Sequence, residues 1–152
     1  WLSKEGYEAP TLERSPEVYY VLKEADRIGV DFWADVHGDE ALPYNFISGS
    51  EGIPKWGPRL EHLQKTFSAH YRKSTPDFQE VHGYDVDPPK GANMSICSNQ
   101  IAERFDCLAF TLEMPYKDTA DTPEPIQEWC PERAMNFGAS MLEPIARILP
   151  EL

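Results

Sequence analysis

Apolar and polar positions in this chain switch between two periods, and the switches mark its elements. Ser15-Pro16-Glu17 offers an N-cap, a proline suited to the first helical turn and a first-turn carboxylate. Val18, Val21, Leu22, Ala25 and Ile28 follow at helical spacing and Gly29 closes the run, which predicts a helix over 16–28. From Val30 to Val36 the period falls to two, with Val30, Phe32, Ala34 and Val36 on one face and Asp31, Trp33 and Asp35 on the other. That predicts a strand delivering His37 at its C-terminal end. Tyr44 to Ile47 predicts a second, short strand ahead of a glycine-rich loop, 48–52. Pro58 opens a helix with Leu60, Leu63, Phe67 and Tyr71 on one side, and residues 74–92, rich in Pro, Asp and Gly, predict a long surface loop. Asn93 or Ser95 can cap a helix bearing Ile101 and Phe105. The unbroken apolar run from Cys107 to Leu112 predicts a strand buried on both faces that ends on Glu113. A second loop, 114–129, contains Pro115, Pro123 and Pro125. Pro131 then starts a last helix with Ala134, Phe137, Met141, Ile145 and Ile148 inward, where Pro144 predicts a kink. Residues 1–14, polar and interrupted by Gly6 and Pro10, predict a loop.

Helices alternating with strands in this order predict an α/β sheet layered with helices, and ligands of such sheets gather at the carboxyl ends of strands. Charge narrows the partners. With 26 acidic against 14 basic residues the net charge is −12, which excludes nucleic acid as a partner and disfavours anionic membrane surfaces. No apolar run is long enough to span a bilayer. The three cysteines, Cys97, Cys107 and Cys130, lack metal-ligand spacing and suit a reducing compartment, with Cys107 expected in the core. The chain opens on Trp1, so a piece of a longer protein is expected.

The densest polar cluster beside a strand is Asp35-Val36-His37-Gly38-Asp39-Glu40. His37 and Glu40 form a His-x-x-Glu pattern, which on spacing alone is a metal-ligand pair or a strand-end histidine with solvated acids. Asp35 falls on the same side as His37 if the strand continues, where it can orient the imidazole. Glu113 ends a buried run, and a carboxyl held out of water suits general acid/base work; the plainer alternative is a strand-exit glutamate paired with a base. His62, His70 and His82 read as surface or loop residues, Met94, Met135 and Met141 as core, and Asp118, Asp121 and Glu124 as a solvated face.

Asp35-Val36-His37-Gly38-Asp39-Glu40-Ala41-Leu42-Pro43-Tyr44-Asn45-Phe46, followed by Thr111-Leu112-Glu113-Met114-Pro115, resembles the zinc metallocarboxypeptidases, in the bacterial form of their cytosolic carboxypeptidase-like branch. The resemblance covers essentially the whole chain. It implies a mixed β-sheet flanked by helices, with residues 1–152 forming the C-terminal part of the catalytic domain. It implies Zn2+ as cofactor, His37 as the third zinc ligand and Glu113 as the general acid/base, so that Glu40 is not a ligand. The first two ligands come from an upstream His-x-x-Glu that has no counterpart here: His62, His70 and His82 are followed three residues on by Lys65, Lys73 and Asp85. The implied substrate is a peptide or protein C-terminus, the implied location the cytoplasm, and the segment by itself is expected to be inactive. Tyr84, Lys90 and Arg104 are substrate-side candidates, Tyr84 at a spacing that departs from the family's mobile tyrosine. A non-catalytic binding or scaffold module of the same fold, and a related zinc deacylase, are the alternatives; an oligomer is compatible with either.

Overall fold

In the computed structural model, residues 2, 3, 6–121 and 128–152 are described, those up to residue 7 by backbone alone. Pro123, Glu124 and Pro125 of the second loop lie outside the described residues. The first residues are not all loop: β1 (Leu2–Ser3) and β2 (Gly6–Tyr7) pair antiparallel. Helix α1 (Pro16–Ile28) has Pro16 in its first turn and ends on Gly29, whose φ of 82° places it in the left-handed region that glycine tolerates. Only Leu22 and Ala25 of its apolar set are fully buried; Val21 and Ile28 stand exposed.

Strand β3 (Phe32–Asp39) runs three residues past the predicted end, because its parallel pairing with β5 (Leu108–Pro115) continues through His37 and Gly38. β4 (Phe46–Ser48) begins two residues later than predicted and lies antiparallel on the other side of β5, giving a mixed sheet of order β3-β5-β4. Side chains alternate across a strand, so the register decides who shares a face. Phe32, Ala34 and Val36 lie with Leu108, Phe110 and Leu112; Trp33, Asp35 and His37 lie with Ala109, Thr111 and Glu113.

The first face meets α2 (Pro58–Ser74): Phe32, Phe67 and Phe110 pack with ring centroids 4.8–5.7 Å apart. Tyr71 extends the cluster to Phe78 and Phe137, and its hydroxyl donates to the Phe137 carbonyl at 3.0 Å. Each large side chain buried this way contributes about 1.5–3 kcal/mol. Val36, at the edge of that face, is left exposed. The second face meets α3 (Cys97–Phe105), whose Ser98 hydroxyl lies 3.1 Å from that of Thr111. Neither Asn93 nor Ser95 caps α3. Ile96 holds that position, while the Asn93 side chain accepts the Ser95 amide at 3.0 Å and shapes the turn before the helix.

The last helix is broken rather than kinked. α4 (Pro131–Ser140) stops and α5 (Leu142–Ile148) restarts around Met141, three residues ahead of Pro144. A proline in a helix interior removes the bond to the carbonyl four residues back and clashes with it, here that of Ser140. With the break at Met141, Pro144 sits in a first turn, where an N–H has no helical partner to lose. A short 3-10 turn, Leu149–Glu151, follows. Met135, expected inside, is exposed, whereas Met141 is buried. Among the described residues no helix is long and apolar enough to cross a membrane.

Candidate active site

The face shared by Asp35, His37, Thr111 and Glu113 carries the candidate chemistry, and the register sets His37 directly beside Glu113. The imidazole bridges two acids: Nε2 is 3.2 Å from Asp35 Oδ1 and Nδ1 is 3.6 Å from Glu113 Oε1. His37 is a strand-interior residue rather than a strand-end one, yet its side chain is 50% exposed because β3 lies at the sheet edge. Glu113, on the central strand, is 6% exposed. Burial raises its pKa above the ordinary carboxylate value; the adjacent His37 opposes the shift, and the carboxylates of Asp39, Asp35 and Glu40 add to it.

One further acid of this face was not singled out from the sequence. Asp39 continues the alternation of Asp35 and His37 and is 4% exposed. Its Oδ1 accepts the Ala41 amide at 2.7 Å, and its Oδ2 accepts the Tyr84 hydroxyl at 2.9 Å. Burial by itself would raise the Asp39 pKa; the Ala41 amide, the Tyr84 hydroxyl and the Leu42 amide outweigh it and hold the carboxyl below its usual value. Tyr84 moves the other way: partial desolvation, the bond to Asp39 and the charges of Glu113, Asp39 and Glu40 all raise its pKa. Extending the period-two reading past Gly38 is the signal that finds Asp39.

Among the six residues named from sequence, the structure brings Asp35, His37, Glu113 and Tyr84 together and leaves two elsewhere. Arg104 makes a bidentate pair with Asp26 of α1, Nε and Nη2 each at 2.7 Å, and lines a groove with Tyr19, Leu22 and Lys23. It sits toward the opposite end of α3 from Cys97, which borders Asp35, and forms a contact between α3 and α1 away from the His37–Glu113 face. Lys90 is an exposed residue of the loop, with φ 63°. His82 stacks on Tyr44 at 4.1 Å between centroids, and His62 pairs with Glu151 at 2.7 Å. Burial, followed by the charge of Asp35, pushes the Cys97 thiol up to about 12, and burial does the same to Cys107, so neither offers a thiolate nucleophile at neutral pH.

The donor set fits a metal ion in part. A carboxylate on Nε2 is the usual means of fixing a ligating imidazole, and it leaves Nδ1 as the donor on the Glu113 side. Among the described residues no three His, Cys, Asp or Glu side chains are grouped to hold an ion. His37 alone fits the role of a single ligand, with Nδ1 facing the Glu113 side.

Solved structures of carboxypeptidases are similar to this chain over nearly its whole length. The chain is similar to a protein from Shewanella denitrificans named 'Putative carboxypeptidase A', with a TM-score of 0.91 and 46% identity, over 95% of this chain and 39% of that one. A metallo-carboxypeptidase from Pseudomonas aeruginosa, solved in complex with (2-guanidinoethylmercapto)succinic acid, follows at 0.89 and 42%, over 93% of this chain and 38% of that one. A metallo-carboxypeptidase from Burkholderia cenocepacia matches at 0.87 and 40%, over 95% and 38%. An uncharacterized protein of Zymomonas mobilis is 43% identical over 143 residues, which are 94% of this chain and 38% of that one. The chain thus spans under two fifths of the length of these relatives. No protein-family model matches it.

Proposed function

Given a chain that carries part of a metallo-carboxypeptidase fold, we propose that it supplies one metal ligand, His37, and the general acid/base, Glu113, of a zinc-dependent carboxypeptidase acting on peptide or protein C-termini. The observation that supports this most is the register of two parallel strands, which sets His37 beside a buried glutamate on one face. When bound, zinc supplies a Lewis acid that polarises a carbonyl and lowers the pKa of water. The chain's own residues do the rest. Asp35 Oδ1, 3.2 Å from His37 Nε2, favours the tautomer with its proton on Nε2 and leaves Nδ1 toward the site. Glu113 takes a proton from the attacking water and returns it to the leaving amine, and its raised pKa suits both halves of that exchange. The remaining ligands and the groups that hold the substrate's carboxylate belong, in this proposal, to the part of the relatives that lies outside these 152 residues. The ligand of the Pseudomonas aeruginosa relative, by its name a succinic acid with a guanidino arm, is consistent with recognition of a C-terminal carboxylate.

Two measurements test the reading. The longer protein should release C-terminal residues from peptides in a zinc-dependent manner, and His37→Ala should remove that activity. The 152-residue chain by itself, dialysed against micromolar zinc, should bind well under one equivalent and hydrolyse nothing. Tight stoichiometric zinc in this chain, lost on replacing His37 and Glu40 together by Ala, would instead make His37-x-x-Glu40 the ligand pair.

A further inference from the structure

The helical run made by α4, α5 and the turn after them is apolar on two sides. Its inner side, with Phe137, Met141 and Ile148, is buried, and α5 packs on α2. Its outer side carries Met135, Leu142 and Leu149, which are 68%, 68% and 64% exposed. Their spacing is a regular heptad, so at 3.6 residues per turn they stay within about 20° of one line along the helix surface. The break at Met141 does not scatter them, because Met141 keeps helical angles, φ −68° and ψ −21°.

The residues beside that line are small and uncharged. Gly138, Ala139 and Ala146 are all exposed, and a Cβ on Gly138 would meet nothing within 4 Å. By the same period Glu132, Glu143 and Arg147 point about 80–140° away from the line, and Glu143 accepts from Arg147 at 2.8 Å. A helix that is apolar on opposite sides is ordinarily covered on both, and a continuous exposed apolar strip marks a contact surface.

Charge and spacing point to what covers it. Copies of a chain with net charge −12 repel one another, and a charge-free face is where two of them can meet. The stripe is also complementary to itself. A two-fold axis at Leu142 sets Leu142 against Leu142, Met135 against Leu149 and Gly138 against Ala146 of the second copy. The small residues leave room for the helix axes to approach to about 8–10 Å. A face about 21 Å long and about 10–12 Å wide is small beside the about 800 Å2 that each partner gives to a stable interface, which fits a reversible pair.

We propose that two copies of this chain associate reversibly through this stripe, as an antiparallel pair of α4–α5 runs centred on Leu142. The pairing is independent of the peptidase reading. Sedimentation equilibrium of the 152-residue chain over about 10 µM to 1 mM, the range of weak association, should show the mass rising from one chain toward two. Added salt should tighten the pair, because it screens the repulsion of the copies and leaves the apolar contact intact. Leu142→Asp should weaken association about tenfold or more while leaving circular dichroism unchanged, since the side chain is exposed. Cysteine cross-linking reads the geometry, with the parent and its Cys97, Cys107 and Cys130 as background. Leu142→Cys should cross-link to itself, whereas Met135→Cys and Leu149→Cys should cross-link efficiently only when mixed. If Leu142→Asp fails to fold, the dilution series and the cysteine variants decide. A parent that stays monomeric throughout, association that Leu142→Asp leaves intact, or Met135→Cys joining itself as readily as Leu149→Cys overturns the pairing. So does a monomeric chain of the relatives' length in which Leu142→Cys resists a thiol reagent, since the added polypeptide would then occupy the stripe.

Discussion

Under the proposed function, Glu113→Gln in a chain extended to its relatives' length is expected to cut peptide hydrolysis about 100- to 10,000-fold, while making the 152-residue chain more stable at neutral pH. Both effects have one cause. Glu113 is held out of water on the central strand, with three acids around it and only His37 opposing. Its pKa in the folded state is therefore above the unfolded value. A group shifted in this direction adds its full stability below the unfolded pKa, near 4, and loses it as pH rises through the folded pKa. At neutral pH the ionised side chain is thus a cost to the metal-free fold. Glutamine keeps the shape without the charge, and a gain of about 0.5–2 kcal/mol is usual where a functional group is relieved of such a cost. Thermal unfolding of both chains at pH 7.5 and pH 4 checks this. The gain should be present at the higher pH and absent at the lower one. A glutamine variant less stable at pH 7.5 would mean that the carboxylate is satisfied by its surroundings, and the argument for a tuned acid/base would lose its physical basis. Hydrolysis that survived the substitution would falsify the catalytic assignment directly.

Central elements were legible from sequence because each leaves a periodic trace. Cys107 to Leu112 reads as a two-sided buried strand, and it is the middle strand, covered by α2 and α3. Proline in the first turn marked α1, α2 and α4. The failures are local and have reasons. β3 was ended too early because His37 and Gly38 break the apolar alternation, whereas pairing with β5 depends on backbone groups and continues to Asp39. Asp39 was missed with it. Met135, Val21 and Ile28 are apolar at helical spacing yet exposed; their period locates a face, but nothing in a period says whether another element covers it. That Asp35, His37 and Glu113 lie close together is legible because each falls near the carboxyl end of one of two apolar strands, which pair in parallel. The partner of Tyr84 was not, since the bond spans 45 positions and depends on how a loop folds back. The partner of Arg104 is hidden for a similar reason: Asp26 lies 78 residues away on another helix.

The other large effect is expected away from the site, at Asp77 and Arg133. The guanidinium of Arg133, on α4, donates through Nε to Asp77 Oδ1 at 3.0 Å and through Nη2 to the same oxygen, and it lies 5.4 Å from the Trp129 ring centroid. Both side chains are close to buried, at 9% and 12% exposure. Asp77 is also tied by its carbonyl to Asn45 Nδ2 at 3.2 Å, and the Asn45 carbonyl in turn accepts from Gln79. The pair therefore joins α4 to the approach of β4 through the loop after α2. A buried ion pair adds little over an apolar pair of the same volume, because both charges pay desolvation, but removing one partner strands the other. Arg133→Met is thus expected to cost about 3–5 kcal/mol by leaving the Asp77 carboxylate without that guanidinium, and the double replacement by Leu and Met much less than the two single losses combined. For a chain of this size, the single loss is a large fraction of a total that is commonly about 5–15 kcal/mol. Urea unfolding of the three variants decides the matter. Additive losses would show that the two groups are stabilised separately, by packing on Trp129 and by the backbone around Asn45. Strong coupling would show that the pair acts as one unit that ties α4 to the loop after α2.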